Sequence, residues 1–203
     1  PTAVKADITA KEVTITETAV KNSKVYNSDT TAEITEKGKL NSKVSGDDLS
    51  FTAGSAAYSD KNVGKNKTVE FTGFKLTGKD SANYTLKSQP TAVKADITAK
   101  EVTITETAVK NSKVYDGKTT AEITEKGKLN GKISGDDLSF TAGNAAYSDK
   151  NVGENKTVEF TGFKLTGKDS ANYTLKSQPT AVKADITAKE VTITETAVKN
   201  SKV

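Results

Sequence analysis

The stretch PTAVKADITAKEVTITETAVKNSKV fills residues 1–25 and returns unchanged at 90–114 and at 179–203. The period is 89 residues, and such a period has to be settled first because it fixes what the rest of the chain can be. Within the stretch, Val4, Ala6, Ile8 and Ala10 alternate with polar residues on even positions, whereas Val13 and Ile15 alternate on odd ones. Side chains on a strand change face at every residue, so a one-residue slip turns the apolar face around. The slip falls at Lys11–Glu12, where the last strand of one repeat is expected to hand over to the first strand of the next. No Gly-, Pro- or Ser-rich linker lies there, so the joint should be short and stiff.

This frame divides the chain into 1–11, the last strand of a preceding repeat, a complete repeat at 12–100, a second at 101–189, and 190–203, the first strand of a following repeat. The two complete repeats differ at seven positions, 27, 28, 29, 42, 44, 55 and 65 against their partners 89 residues on. Most are turn or polar positions. Near-identity of this kind suits a module whose copy number matters more than its individual surface, because each unit of a linear array touches only its neighbours.

Strand signals in the first repeat fall at Val13–Thr18, Lys24–Tyr26, Thr31–Thr35, Leu49–Ala53, Ala56–Tyr58, Val69–Leu76, Ala82–Leu86 and Ala92–Ile97. Glu36-Lys37-Gly38-Lys39 reads as a polar loop. The phase change at Thr72-Gly73 reads as a bulge or tight bend inside one long strand. No segment has helical periodicity, so the fold is expected to be all-β. Val13, Ile15, Phe51, Phe71, Phe74, Tyr84 and Leu86 are the expected core, with Lys11 and Glu12 at the hinge point. The pattern D-x-A-x-Y at Asp80–Tyr84 and Asp169–Tyr173 resembles the tyrosine corner of immunoglobulin-like domains, whose hydroxyl bonds to backbone a few residues upstream. The expected architecture is two tandem immunoglobulin-like β-sandwich repeats joined end to end in an elongated rod.

Composition excludes several kinds of chemistry. The chain has no Cys, His, Trp, Met or Arg. The commonest transition-metal ligands are therefore missing, and neither a Ser–His nor a Cys–His pair can be built. An enzyme is not expected, and no catalytic, cofactor-binding or metal-ligating residue is assigned. The net charge of +4 is spread over 30 basic and 26 acidic residues that interleave along the chain, which is a solvated surface rather than a nucleic-acid footprint. No apolar run approaches the roughly 20 residues of a membrane span.

Four ordered blocks carry a family resemblance. Lys113-Val114-Tyr115-Asp116-Gly117, Ser134-Gly135-Asp136-Asp137, Tyr147–Gly153 and Leu165–Thr174 together resemble the YDG repeat of bacterial surface adhesins. The resemblance covers both complete repeats. It implies a secreted, wall-attached stalk at a bacterial cell surface and transfers no catalytic residue. The first repeat departs from it with Asn27-Ser28 where the second has Asp116-Gly117. If the glycine holds a left-handed conformation, serine there costs roughly 1 kcal/mol, so the first turn is expected to take another form.

Other readings compete with the stalk. Asp47-Asp48 and Ser59-Asp60 are oxygen-rich, but lack the spacing of a calcium loop and read as turn formers. An isopeptide cross-link would need a buried lysine beside an amide or acid, and no flanking motif marks one. Carbohydrate binding through Tyr26, Tyr58 and their counterparts is the main rival, although sugar sites usually use Trp. The expected partners are neighbouring repeats of the same chain, with host glycan or matrix protein met through regions outside this sequence. A monomer with no nucleic-acid partner and no cofactor is expected.

Overall fold

The computed structural model describes residues 1–195, and the end of the expected strand at 190–203 lies outside them. It separates into two compact units. The first comprises Pro1–Lys100 with Ile133–Asp136 and Ala171–Thr174; the second comprises Glu101–Lys132, Asp137–Ser170 and the described residues from Leu175 on.

Ten strands carry the first repeat: β1 (Lys11–Val20), β2 (Ser23–Val25), β3 (Thr31–Ala32), β4 (Ile34–Asn41), β5 (Ser50–Thr52), β6 (Ser55–Tyr58), β7 (Gly64–Thr72), β8 (Lys75–Thr77), β9 (Tyr84–Leu86) and β10 (Val93–Thr98). They form a three-stranded sheet ordered β4-β1-β9, a five-stranded sheet ordered β2-β10-β7-β6-β3, and a β5-β8 pair. The only helical element is a single 3-10 turn at Ser81–Asn83. Most pairs are antiparallel, but β1 runs parallel to β9 and β10 parallel to β2. The all-β expectation holds.

Val13, Ile15, Phe71, Phe74 and Tyr84 are buried as expected. Phe51 and Leu86 are only half-buried, because β5 and β9 are short strands at sheet margins. The segment expected as a polar loop, Glu36–Lys39, lies inside β4. Its charged side chains are tolerated because β4 is an edge strand, bonded to β1 alone in its sheet, and edge strands are kept soluble in this way. The expected long strand from Val69 to Leu76 is two strands in different sheets. β7 stops at Thr72, the chain turns at Gly73 (φ +77°), and β8 pairs with β5 instead. Gly54 sits against this corner so closely that a Cβ would lie 1.8 Å from the Thr72 carbonyl oxygen.

The second repeat repeats this order with β11 (Lys100–Val109), β12 (Ser112–Val114), β13 (Thr120–Ala121), β14 (Ile123–Asn130), β15 (Ser139–Thr141), β16 (Asn144–Tyr147), β17 (Gly153–Thr161), β18 (Lys164–Thr166), β19 (Tyr173–Leu175) and β20 (Val182–Thr187). Its core joins Ile104 and Val109 of β11 to Ala145, Tyr147, Val158, Phe160, Ala184 and Ile186 of the five-stranded sheet. Two sheets thus bury facing apolar sides, as two-layer β folds must. Lys11 and Glu12 open β1, and their counterparts Lys100 and Glu101 open β11 one residue, Ala99, after β10 ends.

Candidate functional site

The strongest concentration of buried polar chemistry lies in the first unit, around the Asp136 carboxylate. Asp136 is 6% exposed and Asn172 4% exposed, the two buried polar residues among the described residues. Three hydroxyls donate to Asp136: Tyr173 at 2.5 Å, Tyr26 at 2.9 Å and Ser28 at 3.0 Å. The Lys61 ammonium stands 3.9 Å away and donates to the Ser28 hydroxyl at 3.1 Å. The Tyr26 ring packs edge-on to Tyr173 with centroids 5.4 Å apart. Beside them, Asn172 accepts the Val63 amide at 2.9 Å and donates to Asn62 at 3.2 Å.

Local structure explains each placement. Tyr26 follows β2, and its amide donates to the Thr98 carbonyl, so the ring is fixed at the end of the sheet. Ser28 then turns the chain at φ +68°, and Gly117 holds the same place in the second repeat at φ +78°. The first turn therefore keeps the left-handed form, against the expectation that serine would change it. Its hydroxyl bond to a buried carboxylate offsets the backbone cost, since bonds to charged acceptors contribute about 1.5–3 kcal/mol. Tyr173 accepts the Ile133 amide at 3.1 Å while donating to Asp136. Tyr84 does the same with Val44 and Asp47. The expected tyrosine corner is thus not formed. The hydroxyl instead bonds a turn about forty residues upstream, at Val44 and Asp47 for Tyr84 and at Ile133 and Asp136 for Tyr173.

Burial pushes the Asp136 carboxyl up, but the Tyr173, Tyr26 and Ser28 hydroxyls and the Lys61 charge outweigh it and hold the group below its ordinary value. Burial, then the bond to Asp136, pushes the Tyr173 hydroxyl up to about 12. Near neutrality this favours Asp136 as the carboxylate and Tyr173 as the neutral phenol. The arrangement is suited to holding surfaces together, since a fully satisfied buried polar network specifies one geometry.

A second cluster recurs in each unit. Lys24 donates to Asp29 Oδ1 at 2.7 Å, to the Asp29 carbonyl and to the Thr31 carbonyl, and its ammonium lies 5.4 Å from the Tyr58 ring centre. Lys113 donates to Asp116 Oδ1 at 2.8 Å, to the Lys118 and Thr120 carbonyls, and lies over Tyr147. The differences at 27–29 compensate one another: Asn-Ser-Asp in one repeat and Asp-Gly-Lys in the other both bring one carboxylate to this lysine.

The other residues considered from sequence have ordinary roles. Asp48 and Asp80 cap each other's turn, with the Asp48 amide on Asp80 at 2.7 Å. Asp60 accepts Lys67 and the Asn62 amide. Among the described residues no group of three or more acidic side chains is placed to hold a metal ion. Of the four tyrosines considered for sugar stacking, Tyr26, Tyr58 and Tyr147 are buried, which removes their faces from any sugar, and Tyr115 is half-buried. Sequence reading missed the Asp136 cluster because 110 residues separate Tyr26 from Asp136; no local spacing could reveal it. The one available signal was the shared 37-residue offset, Asp47 to Tyr84 and Asp136 to Tyr173.

Among known families, the one described as YDG domain matches residues 9–92 and again 98–181. No curated protein and no solved structure matches the chain.

Proposed function

Because this chain belongs to the YDG domain family, with two copies in tandem, we propose that it is a structural stalk segment of a bacterial surface adhesin. It carries an adhesive head away from the cell wall, outside the cell, and its reach is set by copy number. The role is mechanical, with no catalytic step and no cofactor. The observation that carries this reading is the junction: Ala99 alone separates β10 of one repeat from β11 of the next. A one-residue connection inserts almost no linker between copies, and a linear array lengthens with each copy it gains. The seven-position difference between repeats supports the same reading, because a spacer needs copies and not distinct surfaces.

Small-angle scattering on this chain and on a four-copy extension tests it. The maximum dimension should grow by on the order of 40 Å per copy, the length of some dozen strand residues at roughly 3.3 Å each. Growth that scales as for a flexible string would sink the stalk. The rival reading, a module that itself holds host glycan or matrix protein, has less support because three of its four candidate tyrosines, Tyr26, Tyr58 and Tyr147, are buried and Tyr115 is half-buried.

A further inference from the structure

The Asp136 cluster has a counterpart at each of its halves. Asp47, Tyr84 and Asn83 stand 89 residues before Asp136, Tyr173 and Asn172. Asp47 already accepts the Tyr84 hydroxyl, as Asp136 accepts that of Tyr173. Yet Asp47 is half-buried and Asn83 exposed, where Asp136 and Asn172 are buried. The donor half shows the same contrast. Tyr115 is half-buried where Tyr26 is 1% exposed, Lys150 is exposed where Lys61 is not, and Val152 is 54% exposed.

We propose that Asp47 with Tyr84 and Asn83 is a docking surface for the Tyr115–Lys150 tip of a second copy of this chain. The inference rests on the stalk reading for its biological sense, but its geometry is that of the first unit alone. In the docked pair the Tyr115 hydroxyl donates to Asp47 and its ring meets Tyr84 edge-on. The Val152 amide donates to Asn83, as the Val63 amide does to Asn172. The acceptor and donor patches are different surfaces, so the contact is head-to-tail and leads to linear growth rather than a closed dimer. Charge agrees: an acidic acceptor faces a lysine. Gly117 supplies no hydroxyl where Ser28 supplies one, so this contact has one bond fewer than its counterpart.

Isotope-labelled chain titrated with unlabelled chain, followed by amide shifts, tests the proposal. Concentration-dependent shifts are expected at Val44–Asp48, Asn83–Tyr84, Val114–Gly117 and Lys150–Val152. Asp47→Ala and Tyr115→Phe should each weaken self-association by about tenfold to a hundredfold, the loss of one bond to a charged acceptor. Mixing the two variants restores one productive interface, with the intact tip of the first on the intact acceptor of the second. Gly117→Ser should tighten association about tenfold by restoring the missing donor. Absence of shifts up to millimolar concentration, shifts confined to other surfaces, or equal association in all variants overturns the proposal. A mixture that fails to recover binding does so as well. Scattering recorded below the concentration at which the shifts appear reads the single chain, so the two readings can fail separately.

Discussion

Tyr26→Phe is the sharpest perturbation available in this molecule. It removes one hydroxyl and leaves the ring, so the edge-on contact with Tyr173 at 5.4 Å stays in place. What is lost is a 2.9 Å bond to a buried carboxylate. Bonds to charged acceptors contribute about 1.5–3 kcal/mol, and the lower end applies because Tyr173 and Ser28 still serve Asp136. A loss of about 1.5 kcal/mol corresponds to a urea midpoint lower by about 0.5–1.5 M for slopes of 1–3 kcal/mol/M. The repeat supplies its own control: Tyr115→Phe makes the same chemical change at a half-buried site and should stay within about 0.5 kcal/mol of the parent. Circular dichroism is the better probe, since the chain lacks Trp and the substitution alters tyrosine fluorescence. Combining Tyr26→Phe with Asp136→Asn should give a coupling energy of about 1 kcal/mol or more, as for residues in one network. Equal effects at positions 26 and 115, or no coupling with Asp136, would refute the claim that the carboxylate organises this part of the first unit.

Three further outcomes are expected. Stability should fall at both extremes of pH in equilibrium unfolding. Tyr173 is raised to about 12, so its contribution, on the order of 2–3 kcal/mol, is complete below pH about 10 and lost as pH climbs toward 12. Asp136 is lowered, so its contribution is complete above the ordinary carboxylate pKa of about 4 and lost as pH falls through the folded value; a flat profile at both ends would contradict this. Gly54→Ala should destabilise by about 3 kcal/mol or more in thermal melts, because overpacking against backbone has no side chain to yield. Gly46→Ala, at φ +95° with open space around it, should cost only about 1–2 kcal/mol. Lys24→Met and Lys113→Met should each cost about 1–2 kcal/mol and agree with one another, because each lysine meets one carboxylate and two carbonyls; a large difference between them would show that the turn exchange is not compensating.

The strand content was legible because alternation is local. Val13 and Ile15, or Ala95 and Ile97, state their faces by parity alone, and both pairs are buried. Glu36–Lys39 was not legible, since an edge strand can be polar on both faces and then looks like a loop. The corner at Gly73 was visible as a phase change, but its partner Gly54 is distant in sequence, and only packing shows that the two glycines meet. Tyr84 was legible as a core residue and illegible as a bonding group, because its hydroxyl chooses a turn some forty residues away.

The thrice-repeated stretch separates what each level decides. Sequence alone set the 89-residue period, the alternating faces and the reversal of phase, since these depend only on the order of residues. It could not decide which copy becomes strand. At 90–114 both halves are strands, β10 paired with β7 and β11 with β14, and Ala95, Ile97, Val102 and Ile104 are buried. At residues 1–10 the same letters form no strand and Ile8 is fully exposed; at 190–195 Val191 and Ile193 are likewise exposed. A strand has no internal hydrogen bonds, so its backbone and its apolar face are satisfied only by another part of the chain. Identical sequence therefore gives different structure wherever the pairing partner differs.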